Sequence, residues 1–562
     1  MTTVQRCTVR GFVDRLLLQL GQSSLPESTN CLACSEDGRY LGLGHSQGLS
    51  VWRVSSLMHM ADWLQERIEI TSIQMTTMAE MTYLLGTVDD MGVARVLAYH
   101  CDTIHLLSVI NIMEYVTKRN VCLSFELSER GHYGAASFIC SGAVWLEVFH
   151  FPIDAWLKEL KTAVSQHPNS TRDLDVTWSL LTVEAKIKPP KTLAGSASEG
   201  PLEVLQSADF LTHCLALDLN MDSRQSKQSL SKDAEKTVEA NVSSRCCTHH
   251  FLLPCELPVA VCVWWSGSHN LLQYLLQKAT KNKANVEPMP DVLWPNAKEI
   301  LCSAVSRCTR YIALGLEDGL VSIWDRQSGS PLSVVLVTAA DSALFGINFV
   351  SADNCQTFGA AVHLLVVCKS GAIHTVTSGR GTESHTALVS ESPKDSRNFP
   401  SMTTSVPFLQ NLFLMVQRNG KMFLQDVINN QTVGSLVPPE THVISTPCNP
   451  VYALNTEQQT LFIRGDSNPD CDAYSRRKSQ KSQLFIYDFR ETDTTRQYIV
   501  LPHSRQQQKN ASFATLAETC NLYLHQRALS ADERNTAITQ TWKRLQENAV
   551  AAQQKFTGPA VK

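Results

Sequence analysis

A short apolar run, a polar turn that contains glycine, and a second run of alternating apolar and small or polar residues recur along the chain. The clearest case is Ile300–Asp325, where the apolar run Tyr311–Leu314 precedes the turn Glu317–Gly319. After the turn, Val321 and Ile323 alternate with smaller or polar residues, as in a half-buried strand. Glycine tolerates the positive φ that tight turns require. The pattern therefore predicts a β-hairpin.

The same pattern returns at a nearly constant interval. Successive turn glycines lie 44 to 52 residues apart, except for one interval of 125 residues, and they are Gly48, Gly92, Gly142, Gly267, Gly319, Gly371 and Gly420. An eighth unit combines Thr460–Ile463 with Leu484–Asp488, and its Tyr487-Asp488 pair occupies the position of Trp324-Asp325. The Trp-Asp dipeptide and a period of about 40–45 residues are typical of β-propeller blades. The predicted fold is all-β dominated, a WD-repeat-like β-propeller of seven or eight blades, in one ring or in two partial rings.

The remaining stretches divide the chain into further parts. The predicted parts are an N-terminal segment 1–29, the propeller 30–505 with an insertion at about 153–247 and exposed loops at about 378–402 and 466–482, and a helical tail 506–562. In the insertion, Asp154 can cap a helix that places Trp156, Leu157 and Leu160 on one face. A strand-like stretch, 178–187, follows the helix.

The tail has a helical pattern. Phe513, Leu516 and Cys520 share the face of a first predicted helix, and Ser530–Glu533 is a capping box that opens a second helix through Trp542, Leu545 and Ala549. Two interpretations stay open for these helices: a helical hairpin that folds on the propeller, or a docking helix for a larger assembly.

Charge and the N-terminal sequence limit the classes of partner. Lys and Arg total 49 against 53 Asp and Glu, a net charge of -4, so no global basic field attracts nucleic acid or anionic lipid. We therefore expect neither nucleic acid nor a membrane as partner. The apolar run Leu16–Leu18 is too short for an export signal or a membrane span. The 18 cysteines are consequently interpreted as reduced thiols of a cytoplasmic protein, mostly small core residues such as Cys140, Cys262, Cys302 and Cys368.

Motifs that would carry catalysis are missing from the sequence. There is no phosphate-binding glycine loop, no HExxH zinc motif and no GxSxG nucleophile motif. The best metal-like cluster is Cys246–His250, but adjacent ligands diverge and no second cluster completes a tetrahedral site. His363 and His374 flank one predicted turn with no acid or nucleophile placed beside them. We expect no catalytic residue, no cofactor and no metal, and hence no enzyme activity.

Two other features allow more than one interpretation. The basic run Arg476–Lys478 is either a solvated loop or a contact for an acidic partner such as tubulin or nucleic acid. Trp264, Trp265 and Trp294 are interpreted as core residues and not as a stacking platform, because no basic residues interleave with the Trp264-Trp265 pair.

Three segments, Leu85–Arg95, Asp102–Leu107 and Phe125–Ser128, resemble the WD repeat-containing protein 93 family. The resemblance implies a structural subunit of the ciliary or flagellar axoneme, in the projections of the central microtubule pair, whose partners are other central-apparatus subunits. The family is also associated with NADH-linked electron transport, so an accessory component of such a complex is the alternative function. The sequence contains no flavin, iron–sulfur or nicotinamide motif to support that alternative. A third possibility, a propeller hydrolase, requires a polar triad at the central channel.

The chain departs from the regular WD pattern in the blade with the clearest hairpin. Leu314 and Leu316 replace the expected small hydroxyl residues, and no Gly-His pair precedes the blade that begins near Ile300. We therefore expect the hydrogen-bond network of a regular WD blade to be incomplete here.

Overall fold

The computed structural model describes a discontinuous set of residues, and every structural statement below refers to them. They are 17–19, 26, 28–111, 120–166, 177–189, 213–215, 260–276, 288–306, 310–326, 330–338, 343–350, 361–378, 384–438, 442–467, 482–490, 493–499, 542, 543, 545–547, 549 and 550.

The strands of these residues form eight antiparallel sheets, which follow one another along the chain as blades 1 to 8. Blades 1 and 2 consist of β2 (Cys31–Cys34), β3 (Tyr40–His45), β4 (Gly48–Arg53), β5 (Met58–Leu64), β6 (Ile70–Ala79), β7 (Thr82–Asp89), β8 (Ala94–His100) and β9 (Thr103–Val109). Blades 3 and 4 consist of β10 (Val121–Leu127), β11 (Tyr133–Cys140), β12 (Ala143–His150), β13 (Thr182–Ile187), β14 (His213–Leu215), β15 (Ala260–Trp264), β16 (Asn270–Leu275) and β17 (Val292–Pro295).

The second half of the ring continues in the same order. Blades 5 and 6 consist of β18 (Ile300–Val305), β19 (Tyr311–Leu316), β20 (Leu320–Asp325), β21 (Ser330–Leu336), β22 (Leu344–Phe349), β23 (Val362–Cys368), β24 (Ile373–Ser378) and β25 (His385–Ser390). Blades 7 and 8 consist of β26 (Pro400–Ser405), β27 (Leu412–Gln417), β28 (Met422–Asp426), β29 (Gln431–Leu436), β30 (His442–Ile444), β31 (Tyr452–Asn455), β32 (Thr460–Ser467) and β33 (Gln483–Asp488). The predicted β-propeller is thus confirmed, with eight blades.

The first and last blades of the chain contact each other and close a single ring. In most neighbouring blades the first strands contact each other, including β31 of blade 8 and β2 of blade 1, so the first strands line a central channel. Strand β1 (Leu17–Gln19) pairs antiparallel with β33, with Leu17 opposite Tyr487. The predicted N-terminal segment 1–29 therefore contributes a strand to the propeller. The reason is that β33 would otherwise be an exposed sheet edge, which proteins usually cover or pair.

The core lies in the seams between blades, because both faces of each sheet pack against a neighbouring sheet. In blade 5, Leu314 and Trp324 join the apolar cluster shared with blade 4, whereas Ala313 and Ile323 join the cluster shared with blade 6. Side chains alternate between the two faces of a strand. Strand β20 is consequently buried along its whole length, although the sequence predicted a half-buried strand.

The predicted hairpins are the second and third strands of each blade. All seven turn glycines adopt positive φ, between 68° and 133°. At Gly319, with φ 68°, an added Cβ would also lie 2.5 Å from Oγ1 of Thr338. The conformation and the close contact together explain why glycine occupies this turn.

The predicted insertion contains a helix and propeller strands. Helix α1 (Ile153–Gln166) buries Trp156 and Leu160 in the seam between blades 2 and 3. Full burial of a leucine side chain contributes about 1.5–3 kcal/mol. Strand β13 completes blade 3 and β14 opens blade 4, so these two described parts of the predicted insertion 153–247 belong to the propeller. The physical reason is that an outer strand can pair after a long connection, which the hairpin period does not reveal.

Of the two predicted exposed loops, the first is wrong. The stretch 378–402 contains β25 and the start of β26, because the outer strand of blade 6 is largely polar and exposed and so gave no apolar pattern. Most of the second loop, 466–482, lies outside the described residues. A short helix, α2 (Asp493–Arg496), follows the last strand.

In the tail, the described residues between 542 and 550 are helical, as the second predicted helix requires. Leu545 and Ala549 are buried in the apolar cluster of blades 4 and 5. The first predicted helix and the capping box Ser530–Glu533 lie outside the described residues.

Candidate protein-interaction site on the upper face

One end of the channel collects the features that could bind a partner. Each first strand begins at the end of the ring where the turn between the second and third strands lies, since neighbouring strands are antiparallel. We call this end the upper face. It presents the hairpin turns and the connections between blades.

The inner strands are irregular where they reach the upper face. In five blades the pairing of the first and second strands shifts by one residue, and the residues left without an opposite partner are Thr71, Leu123, Leu301, Phe345 and Ser401. Such β-bulges are frequent beside binding sites, because they redirect side chains and interrupt pairing.

Apolar side chains are exposed at this end of the channel. Leu123 is 38% exposed, Phe345 61% and Val443 39%, and all three lie on innermost strands, of blades 3, 6 and 8. Each of the three residues lies within the first three positions of its strand, so they lie at the upper end of the innermost strands. We call Leu123, Phe345 and Val443 the upper rim. Exposed apolar residues grouped around a concave opening are typical of binding surfaces.

A cavity of about 440 Å³ opens beside the upper rim, between blades 2 and 3. Its lining includes the inner-strand residues Thr71, Gln74, Leu123 and Glu126, together with Asp89 from the β7–β8 turn region. Gln74 is held in place because its Oε1 accepts a hydrogen bond from the backbone N–H of Leu127 at 2.7 Å.

The turn beside this cavity is fixed by a buried ion pair. Oδ1 of Asp89 accepts a hydrogen bond from the backbone N–H of Val93 at 2.7 Å, and Oδ2 accepts one from Nη1 of Arg95 at 2.7 Å. Asp89 is 4% exposed and Arg95 9%. Removal of one partner of such a pair leaves a buried charge, which costs several kcal/mol. The segment Leu85–Arg95, which carries the family resemblance, is therefore the rigid side of the cavity.

Asn111 fastens the same turn to the following connection. Its Oδ1 accepts the backbone N–H of Ala94 at 2.8 Å, and its Nδ2 donates to the carbonyl oxygens of Gly92 and Asn120 at 2.8 and 2.7 Å. Asn111 is 6% exposed, so the hydrogen bonds of its side-chain amide replace the hydrogen bonds to water that burial removes. The geometry of the cavity wall is thus set before any partner binds.

The cavity carries more acid than base. Arg95 offsets the charge of Asp89, while Asp90 and Glu126 add two further carboxyl groups to the lining. Desolvation by the surrounding protein raises the pKa of the Glu126 carboxyl group. The described lining of the cavity therefore combines carboxyl groups with apolar side chains such as Leu123 and Phe125.

Blade 5 contains a hydrogen-bond network that the sequence did not predict. Oδ1 of Asn296 accepts the hydroxyl of Ser322 at 2.7 Å and Nε1–H of Trp324 at 3.2 Å. All three residues are at most 2% exposed. Asn296 precedes the blade at the place where the expected Gly-His pair is missing, and Ser322 supplies the hydroxyl from the third strand. Leu314 and Leu316 contribute no hydroxyl to this network, so the expectation that the regular WD network is incomplete in this blade stays a prediction.

The Trp-Asp pair of blade 5 is structural. Trp324 is 1% exposed, and Asp325 pairs with Arg310 through Nη2 and Oδ2 at 3.2 Å. Asp426 occupies the matching position in blade 7, where its Oδ1 accepts the backbone N–H groups of Ile428 and Asn429 at 3.0 Å. These carboxylates fix the exit from the third strand.

The candidate histidines and tryptophans lie in blades 6 and 4, respectively. Burial lowers the pKa of both His363 and His374, and Nδ1 of His363 lies 2.9 Å from Oγ1 of Thr377. The tryptophans predicted to be core residues are buried, with 3%, 4% and 1% exposure for Trp264, Trp265 and Trp294. The segments Cys246–His250 and Arg476–Lys478 lie outside the described residues.

Cys31 and Cys34 form a Cys-x-x-Cys pair in blade 1. Both lie on β2, where residues three positions apart point to opposite faces. Cys31 packs against the cluster of blades 1 and 2, whereas Cys34 packs against that of blades 8 and 1. Burial raises the pKa of each thiol to about 12. The two sulfurs therefore cannot bind one metal ion together.

Within the described part of the chain, no three His, Cys, Asp or Glu side chains are grouped so that they could hold a metal ion. Cys262, Cys302 and Cys368 are buried in apolar surroundings, as predicted, and Cys140 is half-buried. In that same part of the chain, none of the helices has the length and apolar character needed to cross a membrane.

Solved structures with a similar arrangement include several propellers. Sqt1 of Saccharomyces cerevisiae is 10% identical, with a TM-score of 0.45, over 83% of this chain and 97% of that chain. Sqt1 of Chaetomium thermophilum bound to the N-terminus of the ribosomal protein L10 is 12% identical, with a TM-score of 0.43, over 83% and 98%. The Cps50 (Swd1) β-propeller domain of Myceliophteria thermophila is 9% identical, with a TM-score of 0.36, over 83% and 99%.

A family model provides the more specific match. The model described as WD repeat-containing protein 93 matches residues 29–321. The match runs from the start of blade 1 to the first two residues of the third strand of blade 5, and it includes the cavity, the Asp89–Arg95 pair and Asn296. It covers more than half of the 562 residues, and the protein belongs to the WD repeat-containing protein 93 family.

Proposed function

We propose that the protein is a non-catalytic protein-interaction scaffold and serves as a structural subunit of the ciliary or flagellar axoneme, in the central apparatus. The observation that carries the scaffold role is the upper face, where the exposed rim residues Leu123, Phe345 and Val443 lie on innermost strands, with Leu123 also lining a preformed cavity. Membership of the family, with the axonemal role that the resemblance implies, supports the location. Its partners are then other central-apparatus proteins.

The shape of the site supports binding in preference to chemistry. Rigid strands hold the rim, and the Asp89–Arg95 ion pair fixes the adjoining turn. A preorganised surface loses little conformational entropy when a partner binds. A catalytic site would need a nucleophile or acid–base pair within hydrogen-bond distance, and the residues described around the cavity do not provide one.

The location is tested with a tagged protein in multiciliated cells. We expect it to co-sediment with axonemes after extraction in high salt, and its loss to alter beating while respiration stays unchanged. A purely mitochondrial signal would overturn the proposal and favour the accessory component of an NADH-linked electron-transport complex.

The binding face is tested with charged substitutions. Leu123→Asp combined with Phe345→Asp should reduce the axonemal fraction about tenfold, because a buried contact cannot accept two carboxylates. Leu388→Asp is the matched control, since Leu388 is 48% exposed on the outer strand β25, away from the rim. Circular dichroism should show both variants folded. Equal retention of the two variants would remove the upper rim from the binding surface.

A further inference from the structure

A thiol and an imidazole lie side by side at the end of blade 2 opposite the upper face. Strands β8 and β9 are joined there by the two-residue turn Cys101-Asp102, in which both residues have positive φ, 49° and 58°. Sγ of Cys101 lies 3.3 Å from Nε2 of His100, and the cysteine is exposed. Turns of this kind favour asparagine and glycine, so neither turn geometry nor burial explains a cysteine at this position. The thiol is available for chemistry.

The imidazole of His100 is held from its other side. His100 lies opposite Thr82 of β7, and its Nδ1 is 2.8 Å from Oγ1 of Thr82. The hydroxyl of Thr82 donates to the carbonyl oxygen of Glu80 at 3.5 Å, and Thr82 is 2% exposed. Because this hydroxyl hydrogen points to Glu80, Oγ1 accepts Nδ1–H of His100. The network therefore assigns the tautomer whose Nε2 accepts a proton from the thiol.

The surroundings of His100 keep the imidazole neutral. Burial lowers the pKa of His100, and the positive charge of Lys161 on helix α1 lowers it further. The adjacent carboxylate of Asp102 accepts the hydroxyl of Tyr99 through Oδ1 at 2.7 Å. A neutral imidazole can take up a proton, whereas an imidazolium ion cannot. His100 is thus a base in contact with an exposed thiol, and Thr82 orients that base, which is the arrangement typical of an activated nucleophile.

Cys448 provides a comparison within the same chain. It is also exposed, and it lies in the connection between β30 and β31 of blade 8. Its sulfur has no hydrogen-bond partner among the residues that the structure describes. The core thiols Cys262, Cys302 and Cys368 are buried and closed to solvent. Exposure is therefore common to Cys101 and Cys448, and the adjoining base distinguishes Cys101.

We propose that Cys101 is a site of reversible S-thiolation by a small disulfide, with His100 as the base and Thr82 as a positioning residue. His100 takes the thiol proton while Sγ of Cys101 attacks one sulfur of the disulfide. A new S–S bond forms, the original S–S bond breaks, and the leaving thiolate takes the proton from His100. Cys101 is thereby oxidised to a mixed disulfide, and the other half of the reagent is reduced to a thiol. An exposed mixed disulfide is open to attack by a second thiol, so the modification is reversible.

The surroundings of Cys101 favour a reagent with negative charge. Lys161 is exposed on α1 and its charge acts on His100, so a disulfide with carboxylate groups is attracted to this end of blade 2. Oxidised glutathione carries such groups and is a suitable probe. The site lies at the opposite end of the ring from the upper rim, so the proposal does not depend on the axonemal role.

The test uses the full-length protein and oxidised glutathione near neutral pH, with peptide mass spectrometry to follow each cysteine separately. We expect Cys101 to form the mixed disulfide at least about tenfold faster than Cys448, because a positioned base typically contributes a factor of about 10²–10⁴. Reduced glutathione should then restore the free thiol. Equal rates for the two exposed cysteines would overturn the proposal.

Substitutions separate the action of the base from simple exposure of the thiol. His100→Gln should slow the reaction of Cys101 to the rate of Cys448, because the proton acceptor is lost. Thr82→Val should also slow it, whereas Thr82→Ser keeps the hydroxyl and should retain the wild-type rate. A turn loosened by substitution would expose the thiol and raise its rate, so a decrease reports the loss of the base.

His385→Gln is the matched control, since His385 is exposed on β25 of blade 6 and should leave the rate of Cys101 unchanged. Circular dichroism should show every variant folded. A rate at Cys101 that is unchanged or faster in His100→Gln would overturn the proposal.

Discussion

The buried network of blade 5 gives a quantitative test of how this chain replaces a regular WD hydrogen-bond set. Asn296→Ala removes the acceptor of two donors, the Ser322 hydroxyl at 2.7 Å and Nε1–H of Trp324 at 3.2 Å. It also removes the bond from Nδ2 of Asn296 to the carbonyl oxygen of Trp294 at 3.2 Å. A buried donor left without a partner costs about 1–3 kcal/mol. Nε1–H of Trp324 keeps its hydrogen bond to Oγ of Ser322 at 3.3 Å, which limits the loss of stability. We expect destabilisation by about 2–4 kcal/mol.

A double-mutant cycle distinguishes the network from simple loss of packing. Ser322→Ala alone should cost about 1–2 kcal/mol, and the double variant with Asn296→Ala should cost about 1 kcal/mol less than the sum of the single variants, because they share one hydrogen bond. The assay is urea denaturation followed by circular dichroism, with the same m value for every variant. Ser390→Ala is the control, since Ser390 is exposed on β25 and should change stability by less than about 0.5 kcal/mol. A cost below about 1 kcal/mol for Asn296→Ala, or additive single variants, would refute the reasoning.

Three further predictions concern pH, turn geometry and thiol reactivity. Burial lowers the pKa of His363 and His374, so the unfolded chain takes up protons before the folded chain does as the pH falls below about 6.5. The urea midpoint should therefore decrease between pH 7.5 and 5.5. The decrease should be smaller in the double variant His363→Gln with His374→Gln. Gly319→Ala should destabilise by about 1 kcal/mol more than Gly142→Ala in the same assay, because both glycines have positive φ but only Gly319 has close neighbours at the Cβ position. The thiols of strand β2 should react with maleimide far more slowly than the exposed Cys101, and equal rates would contradict their burial.

Local sequence patterns predicted the repeating unit well. The hairpin turns need positive φ, and glycine meets that need at every predicted turn, so the spacing of the glycines revealed the blades. The alternation after Gly319 correctly placed Val321 and Ile323 in a strand, and both side chains are fully buried in the structure. Helix α1 was also predictable, because Trp156 and Leu160 lie one turn apart on its apolar face.

Features that depend on pairing between distant residues were not predictable. The outer strand β25 is polar and exposed, so its sequence looks like a loop, although its backbone pairs with β24. Strand β1 was assigned to a separate segment, since only the free edge of β33 makes it part of blade 8. The bulges that place Leu123 and Phe345 at the upper rim arise from strand pairing and leave no mark in the composition.

The sequence by itself determined the blade period, the β-propeller class and the residues of the hairpin turns, because these follow from local backbone geometry and from the alternation of apolar side chains. The tertiary structure decided the number of blades, the closure of the ring by β1, the use of Asn296 in the network of blade 5, and the position of helix 542–550 between blades 4 and 5. Each of these is a contact between segments far apart in the chain. Such contacts depend on which surfaces the closed ring brings together, and one segment of sequence does not contain that information.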